Sequence, residues 1–269
     1  MKLYILFGDK GKEALHYAER NDGYITACLE SPANSRARMG TIYQVANLSP
    51  VEMNTYTQLF EEYKRHVPRR LLADLDYVSI VILMPSADTG FPHTRPDRLI
   101  CFPQSGRLPS LSTFIHELWH IHQRTYPDLW ARCYERVWNC KPYSIDNIPD
   151  ELYSHMRINP DTLAQRVYCW RDTWVALPIF QSPTQPQLGE CSVWFLNIRT
   201  GVWRKSAPVE WAEYFGGDER QIPASAHEHP NELSAYMLSL LSHDAKGSPA
   251  FRDLVSSVGV TAFQPGMGT

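Results

Sequence analysis

The sequence predicts an α+β fold in two lobes, the first built on a mixed sheet and the second on a β-hairpin and helices. Three observations carry this. Residues 76–84 (DYVSIVILM) form a β-branched apolar run of the kind that fills a buried strand. Residues 49–63 and 111–121 place apolar side chains at helical spacing. Residues 167–180 and 191–203 are rich in Val, Trp, Tyr and Phe and flank a Pro/Gln/Gly connection, as a long hairpin would. With 269 residues there is ample chain for a core.

Taken in order, residues 3–7 read as a first strand. Their apolar run stops at Gly8-Asp9-Lys10 and lacks a small-residue cleavage site, so it is not expected to be a signal peptide. Residues 24–29 read as a second short strand. Ser49-Pro50-Val51-Glu52 opens a helix with Ser at the N-cap, Pro at N1 and Glu at N3. After the buried strand, residues 85–96 read as a loop and 98–102 as another strand, and Pro103-Gln104-Ser105-Gly106 breaks the chain before the next helix. Residues 128–138 and 208–215 read as helices, 139–162 as irregular, 231–242 as an amphipathic helix and the last twenty as a peripheral tail. The expected division is 1–125 and 126–269, two lobes of one catalytic unit.

Composition narrows the function classes. A formal net charge of −3 gives no footprint for nucleic acid or an anionic membrane, and the basic patch at Arg65, His66, Arg69 and Arg70 reads as a solvated helix end. No apolar run approaches the ~20 residues of a membrane span. The six Cys are scattered without a C-x-x-C pair, so reduced thiols and an intracellular, cytoplasmic setting are expected.

The chemistry concentrates at His116-Glu117-Leu118-Trp119-His120. Two His four residues apart lie about 40° apart on a helix, so both rings can reach one ion at ~2.0–2.1 Å. The intervening Glu can take a proton from water activated there. On a wheel centred on Leu118, the apolar Leu111, Phe114, Ile115 and Ile121 cluster and the two His point away from them. One face is therefore anchored in a core while the His pair looks into a cleft. Thr113, Phe114, Ile115, Leu118, Trp119 and Ile121 also fit the longer consensus of zinc metallopeptidases, from which His122 departs. The motif and its flanks resemble those of the zincin superfamily, whose motif helix packs on a mixed sheet.

The zincin branch with a third His is disfavoured, because Gln123 and Tyr126 stand where its Gly and His belong. The segment His229-Pro230-Asn231-Glu232-Leu233-Ser234-Ala235-Tyr236 is similar to the gluzincin element that supplies a third ligand from a later helix. That resemblance implies one zinc per chain on His116, His120 and Glu232, with residues 139–228 as a large inserted lobe. Glu232, Tyr236 and Leu240 would share one stripe. At N3 of a helix, Glu232 equally suits a plain capping role, and His155, His227, Glu228 and His229 are the other candidate ligands. The implied activity is peptide hydrolysis by Glu117-assisted attack of water on a peptide or protein substrate. Tyr236, His227 and His229 are candidates to steady the oxyanion, and strand 98–102 is the candidate to bind the substrate backbone. The alternatives are a zinc-binding interaction module on the same scaffold, or a toxin or processing enzyme with a single target.

Overall fold

A computed structural model describes residues 1–182, 184–216, 222–239 and 248–258. Strands β1 (Lys2–Leu6), β2 (Tyr77–Leu83), β3 (His93–Arg95) and β4 (Leu99–Pro103) form a mixed sheet in the order β1-β2-β4-β3. The first three in that order run parallel and β3 is antiparallel to β4. The apolar run at 77–83 is the central strand, where a parallel arrangement covers both faces.

Two expectations fail here. Residues 93–95, read within a loop, are a strand. Its His-Thr-Arg sequence carries no apolar signal, because buried polar side chains hold it. Arg95 is fully buried against Asp22 (2.6 and 2.7 Å) and Glu19 (2.7 Å). As a result β4 is interior and cannot be the substrate-binding edge expected of 98–102. Residues 24–29 are likewise not a strand but part of helix α2 (Tyr24–Glu30), which follows α1 (Gly8–Asp22) across Gly23 in the left-handed region (φ 59°). The Glu19 carboxylate accepts from the backbone of Ile25 (3.0 Å) and Thr26 (2.9 Å), so a local cap overrides their β propensity.

Helix α3 (Pro32–Ala37) follows, and α4 (Pro50–Lys64) starts at the expected capping box. Ser49 accepts from Glu52 N (3.3 Å) and Glu52 accepts from Ser49 N (2.8 Å). After α5 (Arg69–Asp74) and the first sheet comes α6 (Leu111–Thr125), whose N-cap Ser110 accepts from Thr113 N (3.1 Å). Of the wheel's apolar residues, Phe114, Ile115, Leu118 and Ile121 are fully buried and Leu111 is half-buried; Trp119 is fully buried beside them. Helix α7 (Pro127–Cys133) continues into a π turn at Tyr134–Trp138.

Residues 139–228 form the second structural layer. The strands β5 (Cys140–Pro142), β6 (Tyr168–Trp170), β7 (Trp174–Phe180), β8 (Cys191–Asn197) and β9 (Trp203–Arg204) make an antiparallel sheet in sequence order. The long hairpin pairs Trp174 with Asn197 through to Phe180 with Cys191. Short helices α8 (Asp150–Tyr153) and α9 (Val209–Phe215) lie in the same stretch. Helix α10 (Pro230–Ser239) then packs against α6. Leu240, expected on its stripe, lies outside the described residues. Helix α11 (Pro249–Val258) corrects the tail expectation as far as residue 258: Ala250 and Leu254 are fully buried, and Trp138 donates to Ala250 O (2.9 Å); residues 259–269 of that expectation lie outside the described residues. Among the described residues no helix is long and apolar enough to cross a membrane.

Candidate metal centre

Helices α6 and α10 bring three ligand atoms together. His116 Nε2 and His120 Nε2 are 2.9 Å apart, and each lies 3.5 Å from Glu232 Oε2. Zinc bonds of ~2.0–2.1 Å in a tetrahedron separate their ligand atoms by about 3.3 Å. The donor set and its spacing thus fit one small divalent ion. Among the described residues this is the group of His, Cys, Asp and Glu that could hold a metal.

The electrostatics agree with a bound cation. Burial pulls the His120 value down, but the Asp161 and Glu232 carboxylates outweigh it and raise it to about 10. Burial and the neighbouring His120 lower His116, keeping it a neutral donor. Burial alone would raise Glu232, but His120 and His116 hold it well below the carboxylate range.

The ring of His120 is oriented by Gln123. Its Nε2 donates to Asn231 O (3.0 Å) and Ser234 Oγ (3.0 Å), which leaves Oε1 to accept from His120 Nδ1 (2.7 Å). His120 therefore carries its hydrogen on Nδ1 and turns the Nε2 lone pair to the cluster. The residue that breaks the third-His pattern is the one that ties α6 to α10. Gln123→Ala is expected to weaken zinc affinity about 10–100-fold, read by competition with a chromogenic chelator. Unchanged affinity would remove Gln123 from the site. Glu232 is held in turn by Asn159, whose Nδ2 donates to Glu232 Oε1 and Glu228 Oε1 (2.8 Å each). Glu228 is clamped through both oxygens by Arg157 Nη2 (2.7 Å each).

Glu117, 3% exposed, lines a cavity of ≈ 410 Å³ with His116, Asp161, Glu232 and Tyr236. Among the described residues its Oε2 has no hydrogen-bond partner, and neither does His116 Nδ1. Burial, with the Asp161 carboxylate next, holds Glu117 well above the carboxylate range. The Tyr236 ring meets the His116 ring edge-on at 4.4 Å, so this candidate does stand at the site.

Of the remaining candidates, Glu228 lines the cavity and shares Asn159 with Glu232, while the others stand away from it. His229 lies behind α10, outside this cavity: its Nδ1 accepts from Asn231 N (3.0 Å) and its Nε2 donates to Gln165 O (2.8 Å). It caps the helix and cannot donate to an oxyanion. His227 accepts from Trp211 Nε1 (2.9 Å), and His155 meets the Glu151 carbonyl at the surface (2.9 Å). Glu228 is committed to Arg157. His122, the departure from the consensus, is a buried anchor between Trp130 Nε1 and Asp74 Oδ2 (2.9 Å each).

Burial lowers both His227 and His229 to about 4. Unfolded His titrates near ~6.5, so between these values the unfolded chain binds more protons and stability rises with pH. Acidification from pH 6.5 to 4 is expected to cost about 3 kcal/mol per ring at most, checked by urea unfolding across that range. His229→Gln should flatten the slope, and an unchanged slope would contradict the burial account of that ring.

Asn159, Asp161, Arg157 and Gln123 escaped the sequence reading. The density of Asn and Asp in residues 139–162 was the available signal for the first two. Comparison with protein-family models, curated proteins and solved structures finds no match for this chain.

Proposed function

We propose that the chain is a zinc-dependent peptidase of zincin type, with His116, His120 and Glu232 holding the ion and Glu117 as the general base. The observation that carries the reading is the convergence of two imidazole nitrogens and one carboxylate oxygen at 2.9–3.5 Å beside an unpartnered buried carboxylate. Zinc in such a site supplies Lewis-acid charge, polarising a carbonyl and lowering the pKa of water towards ~7.

The chain's own groups supply the rest. Glu117 takes the proton from the attacking water and returns it to the leaving amine. Its unpartnered Oε2 leaves one oxygen free for that exchange. Tyr236 supplies a hydroxyl on the same cavity wall, beside His116, to donate to the developing oxyanion. A structural zinc would need no such carboxylate and usually takes four protein ligands, which disfavours a bare binding module. The test is hydrolysis of a mixed peptide library. Activity is expected to disappear with a chelator and return on adding zinc, and chelator-resistant hydrolysis would refute the reading.

A further inference from the structure

We propose that Asp88 recognises a protonated nitrogen of the substrate, so that the enzyme acts on chain ends or small amides bearing an ammonium or guanidinium group. This rests on the peptidase reading and deepens it. In β3, Thr94 turns its backbone away from β4, where N donates to Asp161 Oδ1 (2.9 Å) and O accepts from Arg124 Nη2 (2.9 Å). All three residues of β3 are buried. An extended polypeptide therefore cannot add to this edge as a strand, the usual way to hold the middle of a chain. The substrate is left with the cavity, whose ≈ 410 Å³ suits a small ligand.

That cavity runs from His116 and Glu117 to a far wall containing Asp88 and His93. The Asp88 side chain is 8% exposed. Its Oδ1 accepts from Tyr24 Oη (2.9 Å) and Arg38 Nε (3.1 Å), while Oδ2 has no donor. His93 Nε2 is 3.6 Å away and cannot serve. His93 Nδ1 donates to Phe91 O (3.1 Å), and Nε2 accepts from Tyr43 Oη (2.7 Å). A buried carboxylate oxygen without a donor is costly, and a ligand cation would satisfy it.

The protonated nitrogen can be an α-amino group or a basic side chain, and calorimetry on the zinc-loaded chain separates them. The probes are leucinamide, Nα-acetyl-lysinamide and the neutral Nα-acetyl-leucinamide. At least one cationic probe is expected to bind tenfold or more tightly than the neutral one; leucinamide identifies the α-amino source and Nα-acetyl-lysinamide the side chain. Asp88→Asn, which tolerates the left-handed backbone there (φ 42°), should weaken the cationic probe about 10–100-fold and leave the neutral one unchanged. Equal binding of all probes, binding of none, or a preference that survives Asp88→Asn overturns the assignment. The comparison on the unmodified chain decides the matter even if the variant does not fold. Hydrolysis without charge preference overturns this inference alone, whereas charge preference without hydrolysis overturns the peptidase reading alone.

Discussion

Glu117→Gln is expected to lower kcat/KM on any cleaved peptide by at least 10²–10⁴-fold while zinc stays bound at one ion per chain. The substitution keeps the shape of a side chain that is 3% exposed and packed in the cavity wall, so the helix has no reason to move. It removes a carboxylate oxygen that has no hydrogen-bond partner among the described residues, beside the ligand cluster. Stability should hold or rise slightly, because a neutral amide replaces a carboxyl that burial and Asp161 already disfavour as an anion. Steady-state kinetics with metal analysis on the same preparation checks both halves. Equal activity of the two proteins would show that Glu117 is not the base. Loss of zinc as well would make it a structural residue.

Glu232→Gln attacks the other half of the site and is expected to cost more zinc affinity than any outer contact. Outer-sphere losses are about 10–100-fold, and removing an anionic ligand exceeds them. The carboxylate is also what balances the buried His pair, and against the effect of burial His120 and His116 hold it as an anion. Zinc should therefore fall well below one per chain after dialysis, with activity falling in proportion. Retention of one tightly held ion would assign Glu232 to the capping role its N3 position equally allows.

The sequence shows the motif helix clearly because two signals coincide on α6. A wheel with four fully buried apolar residues, Phe114, Ile115, Leu118 and Ile121, fixes its orientation, and the His pair must then face the other way. Glu232 sits 112 residues beyond His120, and only a resemblance pointed to it, since no local rule connects two helices across a whole inserted sheet. Elements held by polar contacts were opaque. Strand β3 owes its place to Arg95 and to contacts from Asp161 and Arg124, and α2 to the carboxylate of Glu19. His229 looked catalytic by position because a helix N-terminus can hold either a cap or a reactive group, and the hydrogen bonds that decide between them are tertiary. Gln123, Asn159 and Asp161 work through partners 67 to 111 residues away, beyond the reach of pattern and periodicity.

X-ray absorption at the zinc edge on the purified chain tests the central claim most directly. It is expected to show one zinc with two imidazole nitrogens and carboxylate oxygen at ~2.0–2.2 Å, and no sulfur. A sulfur shell at ~2.3 Å, a single imidazole, or a chain that takes up no zinc at all would contradict it.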